Sequence, residues 1–290
     1  MNKKNKINSP EGEKWDLILY PTQGLFNFKF KEIWRFRDLL LLFVQRDLIL
    51  AYKQTILGPI WHFFQPLLSA LVFYVVFDNL IGVPTQGIPP ILFYSSGMVL
   101  WGYFSTCVQA TSSVFTTCAN VYDQVYFPRL ILPISTVIAH LVKIGIQLIL
   151  IIVLCFWFYF DDKLLTPGPD LILLPVVFLI LALQSLAAGI IISAFTARYR
   201  DLNVLINFGI QALMFLTPVV YPLSGVHGSY KWLIEINPLT PVLETFRFIM
   251  FSQGNLDLGA LAYSLVFTLF MLCLGLIVFN RVERNFIDYA

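Results

Sequence analysis

The chain has 290 residues, of which 58% are hydrophobic and 12% are charged, and its formal net charge is +2 at pH 7. Soluble domains of this length carry about a quarter charged residues, so the composition excludes a soluble globular fold. It predicts an all-α polytopic membrane protein, because helices satisfy their own backbone hydrogen bonds in lipid. The basic N-terminus continues polar rather than apolar, so no cleavable signal peptide is expected there.

The first 54 residues are predicted to stay outside the hydrocarbon. Residues 1–30 are mostly polar and are interpreted as a cytoplasmic extension. Residues 31–54 mix apolar residues with charges that a helix would gather on one imperfect stripe. Because these charges would interrupt a span, we expect an amphipathic helix in the headgroup plane here, followed by a six-span membrane domain at 55–290.

Six apolar stretches have the length needed to cross about 30 Å of hydrocarbon. They cover residues 60–77, 91–110, 133–159, 171–195, 202–220 and 258–279. The first is marginal, because His62, Gln65 and Pro66 occupy its opening turns. Between the last two, short apolar pieces at 231–236 and 239–251 are interpreted either as re-entrant or interfacial helices or as parts of an ordinary folded loop.

The distribution of Lys and Arg orients these spans. With both termini in the cytoplasm, fifteen of the 19 Lys and Arg residues lie inside the cell and Lys143 lies within the third span. The three that lie outside are Lys163, Lys231 and Arg247. A bias of this size follows the positive-inside rule. The polar segment between the second and third spans is therefore expected in the cytoplasm, where Asp123, Gln124 and Arg129 would meet water or a protein partner.

Several kinds of chemistry are missing from the sequence. The chain has no Gly-Lys dipeptide, so it has no phosphate-binding loop, and it has no Gly-x-Ser-x-Gly elbow or dinucleotide fingerprint. Its cysteines and histidines stand singly, so neither a metal site nor a catalytic residue is predicted. Energy for any transport must come from another chain or from a gradient. Lys143, with His140 one turn earlier, is a weak candidate for a proton relay and is more simply read as a snorkelling or paired lysine.

Aromatic residues are abundant, at 16% of the chain with 27 phenylalanines. Because aromatic rings stack on the apolar faces of sugars, a pathway lined by them would suit a glycan. Most rings in such a chain face lipid or neighbouring helices instead. The candidates for lining a pathway are Phe73, Tyr74, Phe77, Phe208, Phe215 and Tyr221.

A series of short motifs gives the sequence a family likeness. In order they are RD at 46–47, YKQTILGPIW at 52–61, VYFPRLILP at 125–133, RYRD at 198–201, TPVVYP at 217–222, NP at 237–238 and RVER at 281–284. Together they resemble the membrane subunit of bacterial ABC exporters for lipid-linked polysaccharides, the family of O-antigen, capsule and teichoic-acid permeases. The resemblance covers about residues 30–290.

This resemblance implies a homodimer of six-span subunits in the bacterial cytoplasmic (inner) membrane. Two copies of a separate ATPase subunit would bind ATP and Mg, so this chain itself would need no cofactor. The substrate would be an undecaprenyl-linked glycan, passing between the first and fifth spans.

Site residues also follow from the resemblance. A coupling helix that docks on the ATPase would comprise Val121, Tyr122, Asp123, Gln124, Val125, Tyr126, Phe127, Pro128 and Arg129. Its apolar anchors would be Tyr122, Tyr126 and Phe127. Arg46 and Lys53 of the interfacial helix would lie near lipid phosphates or act as ordinary snorkelling cations. The loop after the fourth span contains Arg198, Arg200 and Asp201. These residues either face the ATPase or serve only to anchor the topology.

Three other functions stay open at this point. An ABC permease of similar build could export a drug or a lipid, for which an aromatic pathway would be unnecessary. A membrane-embedded glycosyl or acyl transferase should show carboxylates or histidines clustered at one membrane face, and the sequence gives no sign of such a cluster. A gradient-driven flippase should work without any ATPase.

Overall fold

A computed structural model describes residues 30–53, 58–114, 127–162, 169–196, 199, 201–226 and 228–285 of the chain. All of the regular elements in these ranges are helices. They are α1 Phe30–Arg35, α2 Arg37–Tyr52, α3 Trp61–Phe73, α4 Pro90–Ser112, α5 Ile131–Asp162, α6 Leu174–Thr196, α7 Leu202–Phe215, α8 Lys231–Glu235, α9 Leu239–Phe251 and α10 Leu258–Asn285. A π-helix, Tyr74–Ile81, continues α3, and short 3-10 turns precede α3 and α6.

Five helical stretches in the described ranges are long and apolar enough to cross a membrane. They are Trp61–Ile81, Pro90–Ser112, Ile131–Phe160, Asp170–Thr196 and Leu258–Arg281, and each coincides with a predicted span. The predicted span at 202–220 is a shorter helix, α7, which ends at Phe215. Its 14 residues rise only about 21 Å. The helix stops there because Pro218 disfavours helical backbone at Thr217.

The predicted helix at 31–54 is divided in two. α1 and α2 are separated at Phe36, whose backbone leaves helical geometry. α2 then packs along α5, with Phe43 and Val44 buried against the rest of the chain. The other face of α2 keeps Leu41 and Ile49 exposed, so this segment has apolar side chains on two sides.

α4 and α6 form the centre of the helical assembly. α4 packs against α3, α5 and α6, while α6 also makes the most extensive contact in the structure, with α10. Glycines allow this close packing: a methyl group on Gly189 of α6 would lie 2.5 Å from the Thr111 Cβ on α4. One on Gly275 of α10 would lie 3.3 Å from the Ala187 carbonyl oxygen.

The first span is irregular at both ends. Pro66 lies inside α3 and lacks an N–H, so the carbonyl of His62, four residues earlier, loses its helical partner. The side chain of Gln147 on α5 takes that place, its Nε2 donating to the His62 oxygen at 3.2 Å. At the other end, the π-helix closes on Gly82, which adopts a left-handed conformation with φ 77°.

The segment before α10 is folded against the helical assembly. α9 packs against α4, α6 and α10, and most of its side chains are buried. Asn237 fixes its start, since the Asn237 amide donates to the Leu216 carbonyl at 3.1 Å and to the Thr217 hydroxyl at 2.8 Å. Both short apolar pieces predicted from the sequence are thus helices, α8 and α9, and neither is long enough to span.

Candidate functional site

The predicted coupling segment lies only partly within the described residues. Val121, Tyr122, Asp123, Gln124, Val125 and Tyr126 lie outside them, whereas Phe127, Pro128 and Arg129 lead directly into α5. Phe127 and Pro128 are buried, and Arg129 is half-buried.

Phe127 contacts the chain itself. Its ring centroid lies 5.6 Å from that of Phe43 on α2, and the two rings belong to one buried cluster. The other members of that cluster are Val114, Ile131 and Leu132. Phe127 therefore joins the segment to α2 within the chain itself. The role of Tyr122, Tyr126 and Phe127 as apolar anchors for a partner stays a prediction.

The two cations predicted near lipid phosphates have different surroundings. The Arg46 Nε and Nη2 atoms donate to Asp47 Oδ1 at 3.0 and 2.8 Å, and the guanidinium lies 4.8 Å from the Phe43 ring centroid. Arg46 is therefore already paired within α2. Lys53 is exposed at the end of that helix. In the loop after α6, Arg198 and Arg200 lie outside the described residues, and Asp201 is exposed just before α7.

The six predicted pathway aromatics do not share one surface. Phe73, Tyr74 and Phe77 are half-buried against the core, and the Phe73 centroid lies 6.5 Å from that of Tyr94 on α4. Phe208 and Phe215 on α7 are 67% and 61% exposed.

Tyr221 is half-buried and its hydroxyl donates to the Phe215 carbonyl at 2.7 Å. α3 and its π-helix have their own exposed apolar residues, which include Phe64, Leu68, Leu71, Val72 and Val75. α3 and α7 both pack on α4, and each keeps an apolar face exposed.

One charged residue that the sequence placed in an outer loop is buried. Arg247 of α9 is 2% exposed, and its Nη1 and Nη2 atoms donate to the carbonyls of Pro218 and Val219, each at 2.7 Å. Its guanidinium carbon lies 3.7 Å from the Phe93 ring centroid on α4, and Glu244 lies 3.4 Å from Nη1. Burial lowers the pKa of Arg247 to about 10, an effect that Glu244 opposes, so the side chain stays charged at neutral pH.

The arrangement around Arg247 holds the segment at 217–222 against α4. A methyl group on Gly97 of α4 would lie 2.5 Å from the Val219 oxygen, so only glycine allows this approach. Sequence reasoning counted Arg247 only as an external charge. The available signal was a single cation, with Glu244 three residues before it, within the mostly apolar stretch 239–251.

The structure also brings together residues that the sequence showed as scattered. His62 of α3 and His140 and Lys143 of α5 line one cavity between α3, α4 and α5. The sequence already placed His140 one turn before Lys143, but it does not connect His62 with them, because residues of two different spans meet only in the folded chain.

These observations define a class: a helical, multi-span membrane protein with no phosphate loop in its sequence and with no group of metal-binding side chains among its described residues. Comparison with known proteins narrows the class. The chain belongs to the ABC-2 type transporter family, whose model matches residues 38–251.

Relatives extend this likeness over nearly the whole chain. The O-antigen export system permease protein RfbA of Myxococcus xanthus is 30% identical over 230 residues, covering 77% of this chain and 84% of the relative. The protein of the same description from Klebsiella pneumoniae is 25% identical over 253 residues, covering 87% and 94%. The polysialic acid transport protein KpsM of Escherichia coli is 20% identical over 245 residues, covering 82% and 91%.

Proposed function

We propose that the chain is the transmembrane subunit of an ATP-driven exporter that moves a lipid-linked polysaccharide across the bacterial cytoplasmic membrane. The observation that carries the proposal is the likeness to permeases described as O-antigen and polysialic acid transporters, over 84 to 94% of their length. These descriptions support a polysaccharide as the cargo. The chain would supply the conduit and break no bond in the cargo.

The energy would come from two copies of a separate ATPase, docked on residues 121–129. The contacts of the described part of this segment support such a role. Phe127 is buried with Phe43 of α2 and with Ile131 at the start of α5, so a displacement of the segment is passed to both helices. α5 has 32 residues and rises about 48 Å, so a tilt at its start, beside Phe127, would displace its far end by a larger distance.

The polysaccharide would pass between two copies of the chain. In the most apolar 18-residue stretch of the first span, only 11% of the residues are buried by the chain itself. The exposed faces of α3 and α7, which include Phe208 and Phe215, are the surfaces we assign to the second copy and to the pathway. α7 with the segment after it would then complete the sixth crossing, and both termini would be cytoplasmic as the charge distribution predicts.

The docking proposal is tested by changing Tyr122 and Tyr126 together to Ala while leaving Phe127 intact. Since Phe127 packs inside the subunit, changing it would mix loss of docking with loss of internal packing. We expect the double variant to accumulate normally but to lose co-purification of the ATPase and appearance of the glycan at the cell surface. Anchor residues of this kind each contribute about 2 kcal/mol or more to an interface.

The matched control is Tyr230→Ala, which removes an aromatic ring that is 76% exposed in the segment before α8. Co-purification and export should be unchanged in this variant. If the double variant keeps both its ATPase and its glycan export, residues 121–129 are not the docking site. If no ATPase accompanies the unmodified chain and glycan is still exported, the function itself is wrong.

A further inference from the structure

A polar cavity lies among the membrane-spanning helices, at the end of the assembly where α3 begins and α4 ends. It has a volume of about 170 Å³ and is enclosed by α3, α4 and α5. Its polar lining includes His62, Gln65, Ser69, Thr106, His140 and Lys143. Gln65 and Thr106 are exposed on neighbouring helices, so the cavity opens to the surface between α3 and α4.

The cavity contains a cation that its surroundings leave unbalanced. Lys143 is half-buried and makes no ion pair or hydrogen bond with any of the described residues. Asp47 of α2 is the carboxylate that acts on it electrostatically. The Asp47 Oδ1 atom, however, already accepts two hydrogen bonds from Arg46. A charged lysine within a membrane span is costly unless an opposite charge or water accompanies it.

Two of the lining side chains are held in place by backbone groups. The His140 Nδ1 atom lies 2.8 Å from the Thr136 carbonyl oxygen, so Nδ1 carries the proton and Nε2 is the ring nitrogen available to a ligand. Gln147 is held by its bond to the His62 carbonyl, which Pro66 leaves open. These contacts fix the walls around Lys143 instead of neutralising it.

Two further polar side chains line the cavity and are available to donate hydrogen bonds to a ligand. The Ser69 hydroxyl and the Gln65 amide make no hydrogen bond with other described residues. One ammonium with hydroxyl and amide donors beside it suits an anion with several oxygen atoms. A cavity of about 170 Å³ has room for several waters and therefore for a phosphoryl group.

We propose that this cavity binds a phosphoryl group, with Lys143 as its counter-ion and Ser69 and Gln65 as neutral donors. The lateral mouth between α3 and α4 lets a lipid-borne headgroup enter from the membrane without crossing a helix. Two lipids carry this chemistry: the diphosphate that links a glycan to its polyprenyl carrier, and the phosphate of a bilayer lipid. The first source rests on the proposed function, whereas the site itself does not.

The test is a binding measurement on the full chain purified in an uncharged, phosphate-free detergent. The probes are a short-chain polyprenyl diphosphate, the corresponding polyprenol and phosphatidylglycerol. We expect the diphosphate to bind at least about tenfold more tightly than the polyprenol, as one lost charge-assisted hydrogen bond implies. Lys143→Gln should lose a similar factor of about ten in affinity for the diphosphate, while Lys143→Arg should stay within about threefold.

Lys231→Gln is the matched control, because it removes an exposed lysine of α8 that does not line the cavity. A second variant, Gln65→Leu with Ser69→Ala, removes the neutral donors from partly exposed positions and should weaken diphosphate binding several-fold. Elution as a single species and an unchanged melting temperature would show that each variant is folded.

Competition distinguishes the two sources. If phosphatidylglycerol displaces the diphosphate at equal concentration, the natural ligand is a bilayer phosphate, and if it does not, the carrier diphosphate is favoured. Both outcomes support a phosphoryl site. Equal binding of polyprenol and diphosphate, or an unchanged affinity in Lys143→Gln, would overturn it. Because the assay uses neither ATPase nor export, failure of the proposed function would leave its result intact.

Discussion

α3 and α4 are neighbouring helices with opposite surroundings. In the most apolar 18-residue stretch of each span, 72% of the α4 residues are buried by the chain itself, against 11% in the span formed by α3 and its π-helix. α4 contacts helices on several sides, whereas much of α3 faces outward with large apolar side chains. α4 is therefore held by contacts within the chain, whereas the exposed face of α3 is left for lipid, a second copy or the cargo to cover.

The difference separates two kinds of constraint. Side chains of α4 and of the elements packed on it are set by internal fit, so changes there should alter folding before they alter transport. Side chains on the exposed faces of α3 and α7 are set by lipid, a second copy or cargo. Changes there should alter transport in a chain that still folds. Three experiments test whether changes at buried positions affect stability and changes at exposed positions affect transport.

The largest loss of stability is expected from Arg247→Met. The change leaves the Pro218 and Val219 carbonyls without their donor and removes the cation from above Phe93. Each buried carbonyl left unsatisfied costs about 1–3 kcal/mol, so a total loss of about 4 kcal/mol is expected. The measurement is the yield of monodisperse protein in detergent and its melting temperature. Lys231→Met is the control, since its exposed ion pair with Glu235 contributes at most about 1 kcal/mol.

An intermediate loss is expected from Gly189→Val. The added side chain would begin 2.5 Å from the Thr111 Cβ and would force α6 away from α4. Overpacking of this kind costs about 1–3 kcal/mol, seen as a lower melting temperature. Gly145→Ala on α5 is the matched control, because a methyl group there meets nothing within 4 Å. A variant as stable as the unmodified protein would mean that the contact between α4 and α6 is looser than described.

The smallest effect on stability, but a clear effect on transport, is expected from Leu71→Ser with Phe208→Ser. Both side chains are at least half exposed, so the free energy of unfolding of the isolated chain should change by no more than about 0.5 kcal/mol. The melting temperature should therefore stay almost the same. Cross-linking between two copies and export of the glycan should both fall. A variant that assembles and exports normally would show that the exposed faces of α3 and α7 form neither the pathway nor the contact between two copies.

Long apolar runs made most of the fold predictable. Five predicted spans coincide with helices because hydrophobicity over about 20 residues leaves few alternatives in lipid. The stretch at 202–220 is mostly apolar, but the pair Thr217 and Pro218 ends the helix earlier than composition suggests. The break at Phe36 has neither a proline nor a glycine to mark it.

The functional surfaces were less predictable, because they depend on which residues meet across helices. Phe127 was predicted as an apolar anchor for a partner, and nothing in the sequence connects it with Phe43, against which its ring packs. Arg247 was counted as an external charge, and its two backbone acceptors show that it is buried. His140 and Lys143 were seen to lie one turn apart, but no spacing rule connects them with His62 at the start of another span.

The π-helix that continues α3 gives the exposed span a property that a regular helix lacks. Residues 74–81 close their hydrogen bonds five residues back instead of four, so the turn is wider and each residue rotates less about the axis. Rewinding this stretch to ordinary α-helical geometry would rotate its side chains about the helix axis relative to those of α3. Such a rotation would change which side chains the exposed span presents to its surroundings, at the end of the span away from the polar cavity.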